Sequence, residues 1–381
     1  MIYPMVLHPV PLVSLLQKCW RLCLLAFLLG GPAYGAAQSV VFINPGRSSE
    51  VYWHTASEAM EAAARSLHMS LEVRYAERSP LQAIAIAREI AARPSGSRPR
   101  FVILSNDHSV APEILRSLEA ARIDSLMAFS GVPDSQRDAL GRPRERFRHW
   151  LGSLEPQAQE AGYMTAKALI EAARESRIAG ARDGKLHMLA IAGDRSTPSS
   201  LARNEGMRKA VAEAGDVLLE QEVYGEWRRD RAAEQMRVLM LRYPEARLVW
   251  SGNDDMAFGA MEAWRARGGS PGRDGFFSAI NTSAAALAAM RSGELAALAG
   301  GHYLTGAWAM VMLYDYAHGR DFSSEGLELQ RSMFVLVDPL LVDKLEPRIS
   351  APHKQLDFRK YSKVLNPRLK VYGFETDRLL R

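Results

Sequence analysis

From Ser39 onward the chain alternates short apolar runs with helical patterns. Val40-Val41-Phe42-Ile43 is unbroken by polar residues, which predicts a strand covered on both faces, and Asn44-Pro45-Gly46 ends it. Ala59, Met60, Ala63, Ala64 and Leu67 then recur at helical spacing. Leu71–Tyr75 predicts the next strand. Ser79-Pro80 opens a helix, with Ser as cap, Pro in the first turn, and Ile84, Ala87 and Ile90 on its apolar side. Phe101–Leu104, a helix over 111–121 and Leu126–Phe129 complete a first array. Residues 133–150 break the rhythm, being rich in Arg, Asp, Gly and Pro. A helix over 158–174 restores it. Strands at His187–Ala192, Leu218–Tyr224, Leu248–Ser251 and Phe276–Ile280 follow, separated by helices near 199–214, 230–242, 255–267 and 283–292. A strand Leu295–Ala299, a helix 303–318 and a strand Met333–Val337 come last.

Strands alternating with helices of this length build parallel sheets covered on both faces. Two such arrays joined by a polar crossing predict an α/β protein of two Rossmann-like lobes, each a parallel sheet flanked by helices, with a cleft between them. The expected first lobe is 36–148 plus about 302–324. The second is 149–301 plus about 325–346, and 347–381 form a tail whose structure the pattern leaves open. Hinges are expected near 148–152, 300–303 and 322–328, where the array changes lobe.

The N-terminus adds the compartment. Lys18 and Arg21 precede the apolar run Leu22–Leu29, and Gly30-Gly31-Pro32-Ala33-Tyr34-Gly35 follows, which is the layout of a secretory signal peptide cut after Gly35. The run is too short for a membrane span, which needs about 20 residues. Both cysteines, Cys19 and Cys23, lie inside it, so the mature chain is expected to hold neither disulfide nor thiolate metal site. Cleavage removes Lys18 and Arg21 and no acidic residue, lowering the formal charge from +5 to +3. Lys and Arg alternate with Asp and Glu along the rest, so the clustered basic face of a nucleic-acid binder is missing.

In open α/β sheets, ligands bind beyond the carboxyl ends of the strands. Those ends carry Asn44, Asn106-Asp107, Ser130, Asp194-Arg195, Trp227, Asn253-Asp254 and Asn281. Amides both donate and accept hydrogen bonds and carboxylates accept, which suits a hydroxyl-rich ligand, while Trp53 and Trp227 offer faces for a ring. The competing reading is plain: Asn and Asp form turns and helix caps, and the tryptophans pack a core. Enzyme signatures are missing. There is neither a Gly-x-Ser-x-Gly elbow nor a His-Glu-x-x-His pair, Gly180–Lys185 is one residue short of a phosphate loop, and nine scattered histidines have no ligand spacing. No catalytic residue, cofactor or metal is expected.

The stretch Val249-Trp250-Ser251-Gly252-Asn253-Asp254-Asp255-Met256-Ala257-Phe258-Gly259-Ala260 resembles the type I periplasmic substrate-binding proteins of the ribose- and galactose-binding class. Ala190–Asp194 with Ser199–Gly206 resembles the segment where that family places a ligand-binding Arg, here Arg203, and the resemblance runs to about residue 345. It implies that Trp53, Asn106, Arg203, Trp227, Asn253 and Asn281 face one cleft, with Asn44, Asp107, Glu155, Asp254 and His302 as second choices. The chain departs from pentose binders at Ser130-Gly131, where they carry Asp-Arg, at Asn281, where they carry Asp, and at Gly300-Gly301-His302, where they carry Gln. Gly301–Tyr316 and the tail look more like a subfamily that includes periplasmic sensory receptors. The resemblance implies a monomer that captures a small sugar-like ligand and serves an inner-membrane permease of an ABC importer, or else a membrane sensor kinase or cyclase. An exported enzyme on this scaffold is the third alternative, and a DNA-binding headpiece has no place beside a signal peptide.

Overall fold

A computed structural model describes Met1, residues 38–176, 181–343, Glu346 and residues 356–376. The expected signal peptide and both cysteines therefore lie outside the described residues, as do 347–355 and 377–381 of the tail. Gln38–Arg381 form one unit. It holds two six-stranded sheets, and no helix among the described residues is long and apolar enough to cross a membrane.

The first sheet is built from β1 (Ser39–Asn44), β2 (Ser70–Tyr75), β3 (Phe101–Leu104), β4 (Asp124–Ala128), β5 (Trp150–Pro156) and β11 (Glu328–Arg331), in the order β11-β5-β4-β3-β1-β2. All its pairings are parallel. Val40–Asn44 are fully buried because helices cover both faces. On one side Trp53 and Met60 of α1 (Val51–Ser66) pack with Trp308 of α10 (Thr305–Ala317). On the other, Ile86 and Ile90 of α2 (Pro80–Ala92) pack with Ile114 and Leu118 of α3 (Ala111–Ala121). Ser79 caps α2 as its sequence predicts, accepting from Gln82 N at 3.2 Å with Pro80 in the first turn.

The second sheet runs β12-β10-β9-β8-β6-β7, from β6 (Leu186–Ala192), β7 (Val217–Tyr224), β8 (Leu248–Ser251), β9 (Phe276–Ile280), β10 (Ala297–Gly300) and β12 (Val335–Leu336). Only β12 is antiparallel to its neighbour. Around it lie α5 (Ala158–Glu175), α6 (Pro198–Ala214), α7 (Arg229–Arg242), α8 (Asp254–Ala266) and α9 (Ala284–Arg291). The expected grouping of strands near 40–43, 101–104 and 126–129 in one sheet, and near 187–192 and 248–251 in another, is what the structure has.

The lobe boundaries differ from those expected. Residues 133–150 are not a crossing: they hold α4 (Asp134–Leu140) and a loop pinned to the first lobe, where Arg144 donates to Leu151 O at 2.9 Å and Arg137 pairs with Glu328 at 2.8 Å. The stretch is polar because it covers the surface of that lobe. β5 belongs to the first sheet, so the first crossing is at 156–158 and not at 148–152. The third lies between β11 and β12, at 331–335 and not at 322–328, while the second, at 300–305, is where the sequence put it.

Residues 356–376 return to the first lobe. Phe358, Tyr361 and Phe374 gather around the Trp308 ring at centroid separations of 5.3, 4.7 and 5.0 Å. Asp315 of α10 is fully buried and anchors the segment, accepting from Ser362 Oγ, Lys363 N, Val364 N and Tyr372 OH. Thr376 Oγ1 donates to Met333 O, within the third crossing. Replacing Asp315 by Ala leaves these donors without their acceptor, so a loss on the order of 3 kcal/mol in urea unfolding is expected, with early proteolysis of the tail. A variant within about 0.5 kcal/mol of the parent would show that the aromatic packing holds the segment by itself.

Candidate functional site

The carboxyl ends of both sheets face one another across a cavity of about 290 Å³. Two turns of matching construction supply its most prominent groups. After β2, Ala76 N donates to Asn44 O and Glu77 N to Gly46 O, turning Arg78 inward with φ of +60°. After β7, Gly225 N donates to Ala192 O and Glu226 N to Gly193 O, turning Trp227 inward with φ of +59°. Left-handed backbone at an arginine and a tryptophan is costly, and such strain gathers at functional sites. The two equivalent residues meet, Arg78 Cζ lying 5.5 Å from the Trp227 ring and 5.9 Å from that of Trp53. Glu50 and Asp107 hold the Arg78 guanidinium at 3.0 and 3.3 Å.

Trp227 is fixed from behind. Its Nε1 donates to Asp194 Oδ2 at 2.6 Å, while Asp194 Oδ1 accepts from Ser196 N and Thr197 N at 2.8 and 2.7 Å. Burial pushes the Asp194 carboxyl up, but the hydrogen bonds from Thr197 and Ser196 outweigh it and hold the group below its ordinary value. Gly193 has no room for a side chain because the Trp227 ring occupies that position.

Arg203 reaches the cavity because α5 and α6 touch backbone to backbone. A Cβ at Gly162 would collide with Arg203 O, and one at Gly206 with Gln159 O. The guanidinium is buried, its Nη1 donating to Gly252 O at 2.6 Å and its Nη2 to His302 Nε2 at 3.0 Å. Burial lowers its pKa to about 10. His302 lies in the second crossing, its ring between those of Tyr52 and Phe334 at 4.7 and 4.3 Å. Burial, then the neighbouring Arg203 charge, holds it well below the usual histidine range, so it is neutral. Arg203 only donates, so Nε2 must accept and the proton sits on Nδ1.

Asn253, next to the Gly252 carbonyl that receives Arg203, caps α8 by accepting from Met256 N at 2.9 Å and also lines the cavity. Asn281, at φ of +97°, donates from Nδ2 to Asp254 Oδ1 at 2.9 Å. Burial pushes the Asp254 carboxyl up to about 6 and raises Asp255 and Asp107 in the same direction. The lobes meet directly beside the cavity, where His108 N donates to Thr197 Oγ1 at 3.2 Å, Ser109 Oγ to Ser196 O at 3.2 Å and Ser130 Oγ to Ser199 Oγ at 3.1 Å.

Of the residues singled out in the sequence, Trp53, Asp107, Arg203, Trp227, Asn253, Asp254, Asn281 and His302 line this cavity. Three do not. Asn44 spends its side chain inside its own loop, donating to Trp53 O and Ser57 Oγ and accepting from Gly46 N. Asn106 accepts from Ala111 N at the start of α3 and donates to Gly131 O and Gln136 Oε1. Glu155 faces a separate open groove and accepts from Gly131 N at 2.9 Å. Sequence reasoning missed Glu50, Tyr52, Arg78, Arg229, Asp255 and Phe258. Arg78 closes Leu71–Tyr75, the one strand end of the first array that was passed over, and Tyr52 adjoins Trp53. Among the described residues no three His, Cys, Asp or Glu side chains gather as metal ligands.

Residues 40–321 match the model of the periplasmic binding protein domain. The chain is a type I periplasmic binding protein. A periplasmic sugar-binding protein from Pseudomonas fluorescens is 38% identical, with a TM-score of 0.80 over 90% of this chain and 100% of that one. Two more distant relatives share the fold. One is a twin-arginine translocation pathway signal protein from Burkholderia phytofirmans, at 20% identity and TM-score 0.70 over 83% of this chain and 94% of its own. The other, from Mycobacterium smegmatis and in complex with β-D-fucofuranose, is 16% identical with the same TM-score over 84% of this chain and 97% of its own. No curated protein matches. This periplasmic binding protein belongs to a family of ligand-binding proteins and is not an enzyme.

Glu155 gives the protein a pH signature apart from the cavity. Burial, reinforced by Glu328 and opposed by the Gly131 N–H, pushes its carboxyl up to about 7. A pKa raised on folding contributes stability that is complete below the unfolded-state value and is lost as pH rises through about 7. Glu155→Gln mimics the protonated form, so its melting temperature is expected to match the parent at pH 4 and exceed it by a few degrees at pH 8. A difference that does not change with pH would contradict the buried-acid account.

Proposed function

We propose that this periplasmic binding protein captures a monosaccharide-sized, hydroxyl-rich ligand between its lobes and delivers it to an inner-membrane ABC importer, after export by a signal peptide cut near Gly35. The observation that carries the reading is the cavity wall itself. Aromatic rings of Trp53 and Trp227 flank a space whose other walls carry Asn253, Asn281 and the carboxylates of Asp107 and Asp254. Rings cover the apolar face of a sugar while amides and carboxylates replace the hydrogen bonds its hydroxyls made to water. The 38% identical relative is a periplasmic sugar-binding protein, which supports the same chemistry. Ligand uptake requires the lobes to part, and the contacts between 108–109 and 196–197 must then break while the three crossings bend.

Native mass spectrometry of the protein purified from its source tests the reading, with a retained hydroxyl-rich small molecule expected. With that molecule in hand, calorimetric titration should find Asn253→Ala weakened roughly ten- to a hundredfold and Trp227→Ala by at least as much. Asn253→Ala also loses a helix cap, about 1 kcal/mol of stability, so a thermal melt accompanies each titration. Parent-like affinity in both variants would place the ligand elsewhere. Small-angle scattering should show a larger radius of gyration once the ligand is stripped, and an unchanged value counts against opening.

A further inference from the structure

Arg203 is a buried cation that has no carboxylate partner among the described residues, its Cζ lying 5.7 Å from the ring of Trp227 and 5.7 Å from that of Phe334. Its Nη atoms are satisfied by a backbone carbonyl and a neutral imidazole, and its Nε has no hydrogen-bond partner among the described residues. His302 Nδ1, which must carry the proton, is likewise buried and unpartnered. Both residues line the cavity and are at least nine-tenths buried. A buried charge or donor left without a partner is unfavourable. Both orphans are donors, but the ring that meets Arg203 with Nε2 turns Nδ1 away from the guanidinium, so only Arg203 Nε is open to an acceptor bridging its own fork.

The backbone adds positive potential at the same place. The first turn of α6 reaches the cavity wall through Ser199, one helical turn before Arg203, and carries no acidic residue. Helix N-termini favour negative charge. By contrast, α8 brings its own acids to the cavity, Asp254 and Asp255. The cavity wall thus carries hydrogen-bond acceptors at the start of α8 and an unsatisfied donor at Arg203 Nε.

We propose that the ligand is a sugar acid, its carboxylate held by Arg203 and its hydroxyls by the Asp254–Asn281 wall; this rests on the sugar-binding reading above. A single negative charge fits better than a phosphate dianion, because the other two guanidinium groups on the wall are already engaged. Arg78 is held by Glu50 and Asp107, and Arg229 by Glu262. A carboxylate also accepts two parallel N–H bonds from one guanidinium, the pattern that supplies Nε with a partner.

Calorimetric titration of the mature protein, stripped of retained ligand, compares D-glucuronate with D-glucose, D-galacturonate with D-galactose, and D-gluconate with D-glucitol. At least one acid should bind tenfold or more tightly than its neutral counterpart. Arg203→Gln should abolish that preference. Arg203→Lys, which keeps the charge without the fork, should keep part of it and covers the case in which the Gln variant does not fold. Neutral sugars that bind as well as or better than the acids overturn the proposal and leave the sugar-binding reading standing. A folded Arg203→Gln variant that retains the acid preference overturns it too. If none of the six binds, the proposal falls, and the mass of the retained native ligand decides the sugar-binding reading separately.

Discussion

The burial of one guanidinium, that of Arg203, organises the junction of the two lobes. Helix α6 can bring it there only because Gly162 and Gly206 let α5 and α6 approach to backbone contact. Once in place it ties three parts of the chain together: its own helix, the Gly252 carbonyl after β8, and His302 in the second crossing. A charge so placed is unfavourable unless its donors are used. One donor of this guanidinium, Nε, has no hydrogen-bond partner among the described residues.

Around this centre the two lobes repeat one construction. The turns after β2 and β7 use equivalent backbone hydrogen bonds to swing a side chain over the cavity, and the two lobes chose different chemistry for it, a guanidinium in one and an indole in the other. Their contact across the cleft couples the lobes through a cation and a ring face, while Asp194 and Glu50 fix each partner from behind. The tail adds a further link. It is fixed to α10 through Asp315 and ends on the carbonyl of Met333 in the third crossing, so the hinge region is buttressed from the first lobe.

Much of this was legible in the sequence because burial on both faces leaves unbroken apolar runs. Val40–Ile43, Phe101–Leu104 and Leu248–Ser251 fixed the two arrays, and Ser79-Pro80 and Asn253 marked helix starts that the structure has. The last strand of the first sheet was not legible, because β11 is an edge strand in which only Leu329 is buried. The polar stretch 133–150 misled for a related reason, since a surface segment and an interlobe crossing have the same composition. Phe358, Tyr361, Tyr372 and Phe374 follow no period, because the tail packs as an irregular strap against Trp308. At the cavity, strand-end position located most of the wall but could not tell side chains that face inward from those, such as Asn44 and Asn106, consumed by their own loops. Arg78 escaped because a left-handed turn, which its sequence does not announce, aims it inward.

The central claim is that one ligand occupies the space between Trp227, Arg203 and the Asn253–Asn281 wall and holds the lobes together. A crystal structure of the protein purified from its source with its retained ligand tests it most directly. The account predicts density for a hydroxylated molecule in this cavity, within hydrogen-bond reach of Arg203 Nε and stacked against the Trp227 ring. A ligand found instead in the open groove beside Glu155, with the Arg203 cavity holding only water, would contradict it.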